Sequence, residues 1–422
     1  MRIINGLIYT PEGTFASGEL AICGDRFVGS GEIPGEPNAG EDILDARDCY
    51  VIPGLVDVHS HGAMGADCSD GDAEGLRRIL AYEAACGVTT YCPTTLTIPE
   101  EEILAACRSV GEVNAAIQSG EKGTSELAGI GGIHLEGPFV SYEKRGAQNP
   151  EHLRMPEPEK AASLLEVAKK ASGDLVRLMT MAPELPGAME TIRTLNGACE
   201  RTGSGPVAEA VGKDSGKLHI SLGHTTTDYE TAMRAMAAGA DHVTHLYNGM
   251  SAFGHREPGL VGAASDTKHC YVELITDGIH VHPSVIRNTF RMMGAERMVL
   301  ISDSLRATGL SDGEYEIGGQ NFTLKAGVAR LADGTIAGAA TNLMENLRRA
   351  VSFGIPLEQA VAAATINPAR SIGIADRVGS LTCGLSADAV ILTRDLQVKE
   401  VILRGRRVKK TNISGHVKEL EA

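Results

Sequence analysis

A chain of 422 residues that is 43% hydrophobic can bury one large domain with a smaller companion, or three ordinary domains. Its formal charge of −15 argues against a nucleic-acid surface or an anionic membrane face, while leaving room for a local basic pocket that holds a phosphate. Nine cysteines, an odd number with no CxxC pair, fit a reducing cytosol better than a disulfide framework. No apolar run approaches the roughly 18 residues of a membrane span, and Met1-Arg2-Ile3-Ile4-Asn5-Gly6-Leu7 does not read as an export leader, so a cytoplasmic location is expected.

Met1 to about Asp48 reads as short strands, Ile3-Ile4, Leu7-Ile8-Tyr9, Leu20-Ala21-Ile22 and Arg26-Phe27-Val28, divided by Gly, Pro and Asn turns. Beyond Val51 the pattern changes to strand alternating with helix, which predicts a parallel sheet. The apolar run after Pro53-Gly54 is strand one, and Asp72 to Cys86 is helical. Strands two to four fall at Gly87 to Tyr91, Gly129 to Glu136 and Leu175 to Met181, with helices at Pro99 to Gln118, Pro158 to Ala171 and Met189 to Glu200. Leu218 to Leu222 is strand five and Thr227 to Ala238 its helix; strands six to eight are Ala240 to Thr244, Cys270 to Thr276 and Met298 to Ser302. Helices follow at Asn342 to Phe353 and Leu357 to Thr365, and Val378 to Val408 returns to short strands.

Eight strands in one alternating series predict a (β/α)₈ TIM-type barrel over residues 53–374. The terminal segments, 1–52 and 375–422, are expected to pair into one small β-sandwich. A doubly wound open sheet is the competing architecture. In a barrel, chemistry gathers where the strands end, and those ends carry His59 and His61, Glu136, His224, His245 and Asp303. His59 and His61, two apart on a strand, share a face and can bind one divalent ion. An open sheet would not easily bring the other four to them.

The motifs Pro53-Gly54-Leu55-Val56-Asp57-Val58-His59-Ser60-His61-Gly62, His134-Leu135-Glu136-Gly137-Pro138, Leu222-Gly223-His224-Thr225, Thr244-His245-Leu246-Tyr247-Asn248-Gly249-Met250, Arg256-Glu257-Pro258-Gly259, Asp277-Gly278-Ile279-His280 and Ile301-Ser302-Asp303 run nearly the whole chain. Together they resemble the amidohydrolase superfamily, and within it the N-acetylglucosamine-6-phosphate deacetylases. The resemblance implies a barrel with a terminal β-sandwich, a homodimer, and hydrolysis of the acetamide of an amino-sugar phosphate. It implies one metal at Glu136, His224 and His245, a second at His59 and His61 with Glu136 between them, and Asp303 as acid/base beside the first metal. Gln148, Asn248, Gly249, Arg256 and His280 match substrate-holding positions, with Arg256 and His280 reaching across the dimer. Gln148 stands where many members carry a histidine that polarises the acetyl carbonyl, Ala339-Ala340-Thr341 where serines are commoner, and Asn196 to Gly216 is a longer connection than usual.

Each residue has a plainer reading. Glu136 could be a turn-forming acid, His224 and His245 satisfied core histidines, Asp303 a helix cap, and Arg256 an ordinary solvated arginine; their conjunction favours the site. His134 and His242 read as structural. The cofactor expected is a divalent metal, zinc or iron before manganese or cobalt, one or two per subunit. It would activate water for attack on the acetyl carbonyl, with Asp303 relaying the proton to the leaving amine. Alternatives are a deacetylase of N-acetylgalactosamine 6-phosphate, another amidohydrolase such as a D-aminoacylase, or a non-catalytic assembly protein. Many of the second group use a strand-four lysine, which Leu175 to Met181 lacks, and the third would have lost ligands that are all present.

Overall fold

The computed structural model describes residues 1–31, 33, 40–200 and 216–409. Eight parallel strands form the barrel wall: β1 (Leu55–Ser60), β2 (Val88–Thr95), β3 (Ile133–Glu136), β4 (Val176–Met181), β5 (His219–Leu222), β6 (Ala240–Val243), β7 (Tyr271–Leu274) and β8 (Met298–Leu300). The ladder runs from β1 through β8 in sequence order. Beyond β8 the ends meet through single bonds: Asp303 N–H donates to His59 O at 3.0 Å, and the N–H groups of His61 and Gly62 donate to Ser304 O at 2.9 and 3.0 Å. Closure therefore lies at the residues expected to do chemistry.

The β1, β2 and β4 strands are buried along their whole length, as parallel strands covered on both faces must be. Their outer side chains pack against helices such as Ala73–Ala85, Glu100–Ser119 and Pro158–Ser172 in one continuous core, while Val56, Val58, Cys92, Leu178, Val299 and Ile301 form a separate cluster. Helices Gly259–Asp266, Pro283–Met293 and Ile366–Ser371 complete the α layer and were not anticipated from sequence. The first is only eight residues long, and its stretch is too uniformly apolar to show a helical stripe.

Both chain ends build a second sheet of eight strands. Tyr50–Pro53 lies parallel to Arg2–Tyr9 on one side and antiparallel to Ala389–Leu392 on the other, which stitches the two terminal segments together. The far edge curls back, with Phe27 N–H donating to Leu385 O, so a single continuous sheet encloses its own core of Ile3, Leu20, Phe27, Val51 and Ile402. Gly54 turns the chain from this sheet into β1. A Cβ there would stand 2.0 Å from Thr89 Oγ1, so only glycine fits the step.

The stretch between Asp303 and Asn342, left without elements in the sequence reading, holds an antiparallel three-stranded sheet: β9 (Gly313–Ile317), β10 (Gln320–Lys325) and β11 (Val328–Leu331). Phe322 and Leu324 are buried between exposed Asn321, Thr323 and Lys325, the alternation of a half-covered strand. The long connection read at Asn196 to Gly216 lies over 201–215 outside the described residues. Among the described residues no helix is long and apolar enough to cross a membrane.

Candidate active site

The six residues read from the strand ends converge. Glu136 Oε1 lies 3.0 Å from His245 Nε2, 3.2 Å from His224 Nε2 and 3.3 Å from His59 Nε2; its other oxygen lies 3.2 Å from His61 Nε2. Asp303 Oδ1 stands 3.3 Å from His61 Nε2 and 3.7 Å from His59 Nε2. Two donor groups result, Glu136 with His224 and His245, and His59 with His61 and Asp303, and Glu136 lies between them. His224, His245 and Asp303 all adopt left-handed backbone, with φ of 46°, 27° and 49°. Such conformations cost a non-glycine residue on the order of 1–3 kcal/mol each, and here they turn three side chains inward just past β5, β6 and β8.

For three of the four rings the outward nitrogen shows where the proton sits. His61 Nδ1 faces Thr94 O at 3.2 Å, His224 Nδ1 faces Lys144 O at 2.7 Å, and His59 Nδ1 faces the buried carboxylate of Glu273 at 2.8 Å. A carbonyl or carboxylate can only accept, so these rings donate from Nδ1 and turn an Nε2 lone pair inward. Inward they meet carboxylate oxygens, which are also acceptors. Such a cluster needs positive charge at its centre. Burial alone would raise the Glu136 carboxyl, yet the neighbouring His59 and His224 hold it well below the usual carboxylate range. Without a cation the rings would have to supply that charge as protons: burial opposes charge on His61, yet its bonds to Asp303 and Glu136 push it up to about 10. Buried His59 Nε2 has no hydrogen-bond partner among the described residues. A divalent cation fits all of these observations, and mixed imidazole and carboxylate donors suit zinc, iron, manganese or cobalt.

Above the ligands lies a cavity of about 180 Å³ whose lining includes His61, Glu136, His224, His245 and Asp303. Asn248, Gly249, Gln148 and His280 also line it. Gly249 must be glycine, since at its φ of 58° a Cβ would stand 2.9 Å from His224 Nδ1. The remaining three expected residues lie as follows. Gln148 touches a candidate ligand: its Nε2 donates to Glu136 Oε2 at 2.6 Å and its Oε1 accepts from Thr97 N–H at 2.7 Å, which commits one of the two amide N–H groups to Glu136. It orients the ligand. His280 lines its own chain's cavity, clamped by the turn after β7, where its Nδ1 meets Asp277 Oδ2 at 2.7 Å. Arg256 is exposed and stands outside the cavity lining of its own chain, on a loop that carries it away from the ligands.

His134 and His242, read as structural, stand outside the cavity lining. His134 Nε2 pairs with Thr180 Oγ1 at 2.8 Å, and His242 Nδ1 pairs with Asp241 at 3.0 Å. Sequence reasoning missed Glu273, the acid in the otherwise apolar run Tyr271–Leu274; a charge inside a buried strand was the available signal. It also missed Leu96, Ile317, Thr335 and Ile336 in the cavity wall, three of which come from the unanticipated sheet and the strand-like return after it. Glu273 Oε2 accepts from both His59 Nδ1 and the His245 backbone N–H, at 2.8 and 3.2 Å, and so ties the two donor groups together from behind. Carboxylates behind metal-bound imidazoles typically matter by about 10–100-fold in affinity. Glu273→Gln is therefore expected to weaken metal retention by about that factor, read by equilibrium dialysis against a chelator; retention within about twofold of wild type would contradict the role.

A model of the amidohydrolase family matches residues 50–408. The N-acetylglucosamine-6-phosphate deacetylase of Bacillus subtilis is 38% identical over 377 residues, spanning 89% of this chain and 88% of that protein. The N-acetylgalactosamine-6-phosphate deacetylase of Escherichia coli is 32% identical over 362 residues, spanning 85% and 88%. Among solved structures, a mutant N-acetyl-D-glucosamine-6-phosphate deacetylase of Mycobacterium smegmatis, in complex with N-acetyl-D-glucosamine-6-phosphate, superposes with a TM-score of 0.84 at 34% identity, covering 97% of this chain and 99% of that one. Strand-end ligands on a parallel barrel and a match over most of the chain lead to one conclusion: the protein is a hydrolase of the amidohydrolase family.

Proposed function

We propose that this hydrolase removes the acetyl group of N-acetylglucosamine 6-phosphate, giving glucosamine 6-phosphate and acetate, in the cytoplasm and as a homodimer. The observation that carries the reading is the convergence of four imidazoles and two carboxylates on one side of a small cavity, in a chain 38% identical to a deacetylase of that name. Glu136, His224 and His245 would hold one divalent ion, and His59 and His61, with Glu136 and Asp303 beside them, a second. Such ions supply Lewis acidity to a water and to the acyl oxygen, on the order of several kcal/mol of charge stabilisation.

The chain's own groups do the rest. Burial works against the charge on Asp303, but its hydrogen bond to His61 and the charges of His59, His61 and His245 keep its carboxyl below the ordinary range, so it is ionised and able to accept a proton at neutral pH. It takes the proton of the attacking water as the new C–O bond forms, then returns it to the nitrogen as the C–N bond breaks. His280 is buried, which disfavours its charge, yet Asp277 raises its pKa above the ordinary value. The ring thus biases the cavity toward an anionic substrate and a developing oxyanion. Leu96, Ala147, Leu305, Ile317 and Ile336 give the cavity an apolar wall suited to an acetyl methyl. Arg256, exposed and outside its own chain's cavity lining, would reach a partner's cavity in the homodimer and pair its guanidinium with the sugar phosphate.

The direct test is acetate release from 6-phosphorylated N-acetylglucosamine and N-acetylgalactosamine, with and without chelator. Chelator-sensitive turnover with higher kcat/KM for the gluco sugar is expected; preference for the galacto sugar, or activity on neither, overturns the assignment. Asp303→Asn removes the proton carrier while keeping shape, and is expected to lower kcat by roughly 10²–10⁴ with substrate binding retained. A near-wild-type kcat would rule Asp303 out as the acid/base.

A further inference from the structure

The three-stranded sheet inserted after β8 does more than wall the cavity. Its β9–β10 turn reaches back to the loop that carries Gln148. Gln320 Nε2 donates to Ala147 O at 2.7 Å across 173 residues of sequence, and Asn149 Nδ2 donates to Gly318 O at 3.0 Å. The two bonds flank Gln148 on either side in the chain. Gly318 and Gly319 have φ of 53° and 81°, the left-handed backbone that a tight turn needs. Ile317, at the end of β9, is 2% exposed and shares the cavity wall with Leu96. At its other end the insert is tied to the acid/base: Ala339 N–H donates to the backbone carbonyl of Asp303 at 2.7 Å, and Leu305 N–H donates to Ala339 O at 3.0 Å.

We propose that Gln320 is a positioning residue, and that the β9–β10 turn is a latch which sets the Gln148–Glu136 hydrogen bond. The proposal rests on the reading of Glu136 as a metal ligand. Glu136 is crowded by four imidazoles and has a single amide at its back, so the orientation of its carboxylate follows the position of Gln148. Gln148 sits on the loop from Arg145 to Pro150, and a loop of this kind is only as well placed as its outside contacts make it. Within that loop, Gln148 N–H donates to Arg145 O at 2.9 Å. Gln320 and Asn149 connect it to a sheet whose Phe322 and Leu324 are anchored in the main core. The coupling therefore runs from Gln320 through Ala147 and Gln148 to Glu136, every step a hydrogen bond or a peptide bond.

The test is a double-mutant cycle on the metal-loaded full chain. Gln320→Met keeps the length and packing of the side chain and removes the donor; Gln320→Glu, also isosteric, places an acceptor against Ala147 O and serves if the first variant does not fold. Each is made in the wild type and in a Gln148→Ala background. The primary readout is the rate at which EDTA strips the metal, followed without substrate, with thermal unfolding alongside. Because Gln320 lies one step further out than a residue touching the ligand, stripping should accelerate about 3–10-fold in the wild type and less than about 2-fold in the Gln148→Ala background. In turnover, kcat should fall with KM nearly unchanged. Equal acceleration in both backgrounds would show that the sheet acts through general stability, and no acceleration would show that the latch bears no strain; either overturns the proposal. Since stripping involves no substrate, a wrong substrate assignment leaves this result readable.

Discussion

Three imidazole lone pairs and the oxygens of two carboxylates face one another at 3.2 to 3.7 Å at the open end of the barrel. Like-signed acceptors at that spacing repel unless positive charge lies among them, and the buried setting strengthens the effect. Much of the surrounding structure answers this one constraint. The backbone enters left-handed conformations at His224, His245 and Asp303 to aim side chains inward, and carbonyls of Thr94 and Lys144 hold two rings in the tautomer that presents Nε2. A metal held there would help offset that backbone strain.

The support for the ligands comes from far along the chain. Glu273 on β7 braces both a β1 ligand and the backbone of a β6 ligand, and the closure of β8 on β1 runs through His59, His61 and Asp303 themselves. Strand order brings these groups together, and barrel closure and the candidate metal site share the same residues. The terminal sheet contributes indirectly: Gly54, wedged against Thr89, fixes where β1 begins and hence which face His59 and His61 present.

The barrel and its converging polar residues were legible in the sequence because both leave local marks. Buried parallel strands are short apolar runs, and a ligand is a polar residue at the end of one, as at Glu136 after Ile133-His134-Leu135. What was not legible depends on partners distant in sequence. That Gln148 touches Glu136 is a 2.6 Å contact that no spacing reveals. His280 and Arg256 look alike as polar residues in loops, yet one is folded into the cavity by Asp277 and the other is left exposed. The β9–β11 sheet has only two fully buried side chains on β10, and its Gly and Asp turns resemble an irregular connection. Its contribution to the cavity wall was hidden with it.

The account stands on the claim that cations resolve the crowding at Glu136. Anomalous scattering from crystals of the metal-loaded protein, collected on both sides of the metal's absorption edge, tests it most directly. The account predicts two peaks, one among Glu136, His224 and His245 and one against His59 and His61, with Glu136 touching both. An absence of peaks, with the imidazoles instead hydrogen-bonded to the carboxylates through protons, would contradict it.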